Sequence, residues 1–418
     1  MTNLVQKIIF IINVSGILIH EFIIYLILRN YEVFVENITK RLAEINILYV
    51  KIFQAIASNN NLIDEKTNNK LLTFTDNVPW SYKEFTLKEI VHLADTYGLD
   101  LKAGYEVPIN SGMISIVFKA YKKGTNEPVI IKMKRQNIEE KLNDGIEKIK
   151  FLMYILSFIP MVQKFKLDTL INKNIDIIRS QTNFSNEVNN IIKIKNNCKN
   201  LKYVKIPEVY KEVTDYYPNI IMMEYINGKK INDICKDDYE AFSKQIIKFG
   251  LVTTIVHGAT HGDLHSGNIL FIKDEKDEKC KYKIGVIDFG IIYELNNVYK
   301  DLLFDVLTNM FNVPAEESAV KLLNSGVISP PRILMKIPEI HYHKILTFTT
   351  EIIEEAIQSS KHANQIQIYK FLKTFSDYLN DEELNKYGIH PSDDFVKTQL
   401  VLAMAHGVTL TLCKDDFM

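Results

Sequence analysis

His261-Gly-Asp-Leu-His-Ser-Gly-Asn268-Ile-Leu-Phe271, followed by Gly285-Val-Ile-Asp288-Phe-Gly290, decides how this chain reads. Asp263, beside a tight turn, can orient and deprotonate a hydroxyl or a water. Asn268, five residues on, and Asp288, at the end of the next strand-like run, are oxygen donors suited to a Mg²⁺ that bridges nucleotide phosphates. Order and spacing together imply a kinase-like phosphoryl-transfer site using ATP and Mg²⁺. Tyr282 to Ile287 reads as a strand delivering Asp288, and two unrelated Asp-Gly turns would not explain both segments at once. His261 is expected to brace the loop, and His265 to be a packed or exposed loop residue, because proton removal falls to the Asp.

Working outward, Ile114 to Tyr121, a Lys-Lys-Gly-Thr-Asn turn and Val129-Ile-Ile-Lys-Met133 predict a hairpin carrying Lys132 in mid-strand. A lysine there can sit over the α and β phosphates, provided a helix supplies a carboxylate to hold it. Glu187, opening a helical run to about Asn197, is the candidate. Taken singly, Lys132 reads equally well as a solvent-facing strand lysine and Glu187 as a surface charge; their order along the chain favours the paired role. Tyr203 to Val209 and Ile220 to Gly228 are expected to supply the remaining strands and the crossover to a second lobe. Beyond Tyr239 helical spacing dominates, interrupted at Ser329-Pro-Pro331.

The 418 residues, 47% hydrophobic and 24% charged, are enough for a large core and more than one lobe. A formal charge of −1 gives no basic face for nucleic acid. Four scattered cysteines, Cys198, Cys235, Cys280 and Cys413, fit reduced thiols better than a disulfide framework or a zinc site. Ile8 to Leu28 is apolar and long enough to cross a bilayer, yet Gln6, Asn13, His20 and Glu21 mark a narrow polar stripe. Three readings stay open for it: a membrane-attached helix, even a single-pass span, with its stripe against protein; a packed helix of a soluble fold; and a signal peptide, which lacks a cleavage site.

At this point the residues carry a resemblance. From about Leu42 to Val320 the chain resembles the UbiB or AarF-domain (ADCK-type) family of atypical kinases. Lys51-Ile-Phe-Gln54 matches that family's Lys-x-Gly-Gln signature at Lys51 and Gln54, Glu187 and Asn190 match its Glu-x-x-Asn, and Met223, Glu224 and Gly228 fit the approach to its hinge. The resemblance implies an α+β, two-lobed protein-kinase-like fold with a helical N-terminal extension and a mostly helical C-terminal lobe. It divides the chain into 1–35 (apolar helix, candidate membrane anchor), 36–107 (extension), 108–226 (nucleotide-binding lobe) and 227–418 (catalytic lobe). It implies regulation through Lys51 and Gln54, nucleotide binding through Lys132, Met223 and Glu224, and catalysis through Asp263, Lys132 and Glu187. Asn268 and Asp288 take the metal. The implied setting is isoprenoid-quinone or other lipid metabolism at a membrane, with a lipid or isoprenoid partner; a protein partner stays open.

The departures predict differences. Phe53 replaces the signature glycine, and the carboxylate pair expected to meet Lys51 falls on Gln181 and Asn183, leaving Lys51 without an obvious counter-charge. Where the family has alanines, Asn110, Ser111 and Gly112 predict a flexible turn whose Ser111 hydroxyl and Gly112 backbone approach phosphate, and hence weaker inhibition by the extension. Rival readings are an aminoglycoside- or choline-type phosphotransferase, against which Lys51-x-x-Gln54 speaks, a nucleotide-binding pseudokinase scaffold, and an apolar-ligand carrier.

Overall fold

The computed structural model describes residues 3–46, 48–52, 78–158, 167–363, 368–381, 384 and 386–413. Phe53 and Gln54 lie outside them. The chain forms two compact units, Met1–Ile192 with Pro207–Ile226, and Lys193–Ile206 with Asn227–Met418.

The first unit opens with helix α1 (Leu4–Leu28). Asn3 and Gln6 close a reciprocal capping box at its start, so Gln6 serves the helix end rather than the polar stripe. Glu21 is buried and accepts from Asn37 Nδ2 at 3.0 Å, with Arg41 at 3.1 Å and His20 at 2.9 Å. Asn37 and Arg41 belong to α2 (Tyr31–Ile45), whose apolar face buries Val35, Ile38 and Leu42. At the other end of α1, Lys7 pairs with Glu147 at 3.4 Å. The remaining circumference of α1 is bare: Leu4, Ile9, Ile12, Ile19, Phe22 and Ile27 are all exposed.

Next come α3 (Leu87–Thr96) and the strands β1 (Leu99–Asp100), β2 (Asn110–Ser111), β3 (Ser115–Lys122) and β4 (Pro128–Lys134). Three helices follow, α4 (Ile138–Leu156), α5 (Leu167–Ser180) and α6 (Phe184–Cys198). The stretch from Tyr203 to Val209, expected to extend this sheet, largely leaves it. Val204–Lys205 (β5) pairs in parallel with a strand of the second unit, and only Val209 bridges back, to Met223. After α7 (Lys211–Tyr216), Ile220–Glu224 (β6) completes the sheet, in the order β1-β3-β4-β6 with β2 on β3.

The period-two rule divides the sheet's faces. Val129, Ile131 and Met133 of β4, with Ile220 and Met222 of β6, pack on Phe85, Ile90 and Leu93. Ile130, Ile221 and Met223 point the other way, into a core with Ile146 of α4 and Phe184 and Val188 of α6. Lys132 shares the parity of Ile130 and lies opposite Val117 and Ile221, so the register aims it at α6.

The second unit holds α8 (Tyr239–Leu251), which continues into a single π turn, Val252–Val256. Strands β7 (Ala259–His261), β8 (Ile269–Lys273), β9 (Tyr282–Val286) and β10 (Ile292–Glu294) come next. Then follow α9 (Asn297–Asn309), α10 (Ala315–Asn324), β11 (Ile328–Ser329), α11 (Glu339–Ala363), α12 (Ile368–Leu379), β12 (His390–Pro391) and α13 (Asp393–Leu412). One apolar core ties the helices together through Leu303, Leu322, Ile353, Phe375, Phe395 and Leu402. The four cysteines are free thiols.

Candidate active site

In the first unit, Lys132 Nζ donates to Glu187 Oε1 at 2.6 Å, and both side chains are buried. Phe184 and Val188 anchor α6 to the sheet, and Glu187, three residues after Phe184, is thereby turned towards β4. Asn183 occupies one of the positions where the resemblance implies a carboxylate. Its Oδ1 instead accepts the Asn186 amide at 3.2 Å and caps α6, so the helix that presents Glu187 is held at its first turn. Gln181 Oε1, at the other such position, is buried without a hydrogen-bond partner. Lys51 nevertheless has an interaction partner of its own.

The turn between β2 and β3 differs from its expectation. Ser111 is buried, and its hydroxyl accepts from Arg135 Nη2 at 2.5 Å. The Gly112 amide donates to Ser115 O at 2.8 Å, and its carbonyl accepts from Arg135 Nε at 3.0 Å. The Ser111 hydroxyl and the Gly112 amide are both engaged within the protein, and the turn is tied down rather than loose. Sequence reading missed Arg135 because its partners are remote in the chain. At the other nucleotide candidate, the Glu224 amide donates to Glu208 O at 2.7 Å and Glu224 Oε2 accepts the Glu208 amide at 3.1 Å, while the Met223 side chain is buried in the α4–α6 core.

In the second unit two ladders bring the motif segments together. Strand β7 pairs with β10, setting His261 opposite Ile292, and β8 pairs with β9, setting Ile269 opposite Val286. Asp263 and Asn268 lie between β7 and β8, Asp288 lies between β9 and β10, and so the pairing places the two loops side by side. Gly262 is required at the crossing. Its amide donates to Ile291 O at 2.9 Å, and a Cβ there would meet Ile291 Cγ2 at 2.5 Å.

His261 is the fastener. Its Nδ1 accepts the Asp263 amide at 3.0 Å, and its Nε2 bonds the Asp288 carbonyl at 2.5 Å, which requires the neutral Nε2–H tautomer. Burial favours the same state, holding the imidazole below its ordinary range against the opposing pull of Asp263 and Asp288. His265 is the packed form of the loop residue expected: it is buried and accepts the Gly267 amide through Nδ1 at 3.1 Å, shaping the turn before Asn268. Tyr293, unmarked in the sequence, lies within reach of Asp263: burial and then the Asp263 charge push its phenol up to about 12.

The oxygen donors fit Mg²⁺. Asn268 Nδ2 donates to Asp263 O at 3.0 Å, which turns the amide oxygen to the other side, and Asp288 Oδ1 is oriented by the Gly290 amide at 3.1 Å. Among the described residues no three His, Cys, Asp or Glu side chains form a metal cage. A cation held by one carboxylate and one amide oxygen must draw its other ligands from phosphate and water, which is how Mg²⁺ accompanies nucleotides.

Among curated proteins, the chain is 26% identical over 307 residues to the "Probable protein kinase UbiB" of Shewanella sp. (strain ANA-3). It is 24% identical over 307 residues to the protein of the same name from Shewanella sp. (strain MR-4). Each match covers 70% of this chain and 54% of the relative, so the chain spans about half the length of these relatives. Among solved structures, the complex of Rv3197 with erythromycin from Mycobacterium tuberculosis aligns at a TM-score of 0.45 and 14% identity, covering 79% of this chain and 80% of that one. The Rio2 kinase-ADP/Mg²⁺-phosphoaspartate complex from Chaetomium thermophilum aligns at 0.27 and 11%, covering 72% and 75%. Residues 99–321, more than half of the chain, match the ABC1 atypical kinase-like domain, and that match spans Lys132, Glu187, Asp263, Asn268 and Asp288: the chain belongs to the ABC1 atypical kinase-like family.

Proposed function

We propose that this chain binds Mg-ATP and cleaves its terminal phosphate, as a UbiB-like atypical kinase or ATPase working at a membrane on an isoprenoid or related lipid. The observation that carries this reading is the Lys132–Glu187 pair. Two charges removed from water in an apolar core add little net stability, so their presence is better explained by work on an anionic ligand. Lys132 would neutralise the α and β phosphates while Glu187 holds it in place. Asp263 would orient the acceptor hydroxyl or water and take its proton. Asn268 and Asp288 would hold Mg²⁺, which when bound supplies charge neutralisation on the phosphate oxygens.

Support for the membrane is α1, long and apolar enough to cross one by length and composition. Its polar bonds to α2 and its Lys7–Glu147 pair tie charged neighbours to both of its ends. Crossing a bilayer would drag these charges into hydrocarbon. The bare face therefore suits a helix lying in the lipid surface better than one spanning it.

The test is ADP release from Mg-ATP by the purified full chain, with and without vesicles. Turnover that disappears in Asp288→Asn and rises with lipid is the expected result. Nucleotide-dependent thermal stabilisation without any ADP would sink the enzymatic reading in favour of a scaffold.

A further inference from the structure

Arg135, one residue past β4, is buried, and it reaches the β2–β3 turn without being one of the groups read above as touching a ligand. All five of its N–H donors are committed inside the first unit. Nε donates to Gly112 O at 3.0 Å, Nη1 to Pro79 O at 3.2 Å and Glu84 Oε2 at 2.5 Å, and Nη2 to Val78 O at 3.3 Å and Ser111 Oγ at 2.5 Å. The guanidinium thus bolts two stretches together: the β2–β3 turn and the segment 78–84 that leads into α3.

Backbone bonds reinforce the same joint. The Val78 amide donates to Ser111 O at 2.7 Å and the Gln136 amide to Glu84 O at 2.7 Å. Glu84 is shared, since its Oε1 accepts Lys141 Nζ at 2.9 Å and its Oε2 also takes the Ser81 amide at 3.1 Å. A planar fork matches this acceptor set; a lysine, with one ammonium, reaches a fraction of it.

We propose that Arg135 is a positioning residue that sets nucleotide affinity by locking the β2–β3 turn in its phosphate-covering shape, with Glu84 and Ser111 as its clamps. The inference rests on the reading that this turn covers the nucleotide phosphates. Because Arg135 spends every donor on protein, it acts through the turn and not on the ligand. A turn already held in place loses little freedom when Mg-ATP arrives, so the lock appears in binding more than in the chemical step.

The experiment compares wild type with Arg135→Lys and with Ser111→Ala, the milder change that keeps the fold testable if the first variant is poorly folded. Mg-ATP affinity is measured by thermal shift and by KM, kcat by ADP release, and local opening by amide hydrogen exchange. Arg135→Lys is expected to weaken affinity and raise KM about tenfold with kcat changed less than about twofold, and Ser111→Ala to give about a threefold shift. Exchange should quicken at the Val78 and Gly112 amides while β6 keeps its protection. Unchanged affinity in both variants overturns the proposal, as does a fall in kcat accompanied by general loss of protection, which marks a merely structural residue. A wild type that binds Mg-ATP and shows these shifts without releasing ADP would refute turnover and leave Arg135's role standing; one that binds no Mg-ATP refutes both.

Discussion

The two units fix their functional groups by different physics. In the first, charge is held by charge: Lys132 by Glu187, and Arg135 by Glu84, each pair in a setting poor in water. In the second, the loops that carry the acidic residues are held by backbone bonds around a neutral imidazole, with Gly290 donating to the Asp288 carboxylate, and His261 tying the Asp263 amide to the Asp288 carbonyl. Ion pairs locate a charge along one line and fail when either partner is lost. A lattice of backbone bonds locates the peptide itself, leaving the side chain replaceable without collapse. Substitutions of the paired charges in the first unit should therefore be read out in stability together with activity, and those of the aspartate side chains in the second in activity alone.

The sharpest break of that contrast is Asp288→Asn. Asparagine keeps an acceptor for the Gly290 amide, so the midpoint of thermal unfolding should move by only a degree or two, roughly the scale of a surface change. Turnover should fall by about 10³-fold or more, as for loss of a charged metal ligand in phosphoryl transfer. ADP release and a melting curve on the same sample decide it; residual turnover within tenfold of wild type would mean that the carboxylate is not the metal's.

Next in size is the buried pair. Glu187→Gln leaves an ammonium without its carboxylate and should cost about 3 kcal/mol by denaturant unfolding. The double variant Lys132→Met with Glu187→Gln should regain at least about half of that and none of the activity. Additive losses would show that the pair is not coupled, contrary to its 2.6 Å separation.

His261 tests the second unit through pH. Its folded value lies below the ordinary 6.5, chiefly because of burial. Its contribution is therefore fully present above about 6.5 and is lost as pH falls, since the unfolded chain takes up a proton that the folded one refuses. The slope approaches about 1.4 kcal/mol per pH unit. His257, held down by burial and then by Lys300, adds a slope of the same sign. Urea unfolding at pH 7.5 and 5.5 should show a smaller difference in His261→Asn than in wild type; equal differences would remove the neutral fastener from the account.

The smallest effect belongs to Asn183→Ala, which removes the cap of α6 and should cost about 1 kcal/mol with turnover within about twofold. A much larger loss of turnover would give Asn183 a role beyond the helix end.

What could be read in advance divides along lines of chain separation. Asp263, Asn268 and Asp288 lie within two antiparallel ladders, so local order foreshadowed their neighbourhood, and Val129 to Met133 foreshadowed a mid-strand lysine but not its burial. Arg135 meets Glu84 from 51 positions away, and no local pattern distinguishes it from a surface arginine. For that reason Ser111 and Gly112 looked like a loose turn. Val204–Lys205 has strand-like residues but finds its partner in β9, a non-local choice that propensity does not encode. The apolar run of α1 was plain, whereas the burial of Glu21 against α2 required the helices to be packed.

Asp288 adopts a φ of 67°, the left-handed region that only glycine, asparagine and aspartate enter readily. The codons for asparagine and for glycine are each a single base change away from those for aspartate. A mutational drift away from aspartate is thus channelled by the backbone towards the two residues that preserve the loop's path while removing its negative charge. Gene duplicates of such a protein would tend to fall silent chemically long before they unfolded, and an inactive copy would keep its shape available for other uses.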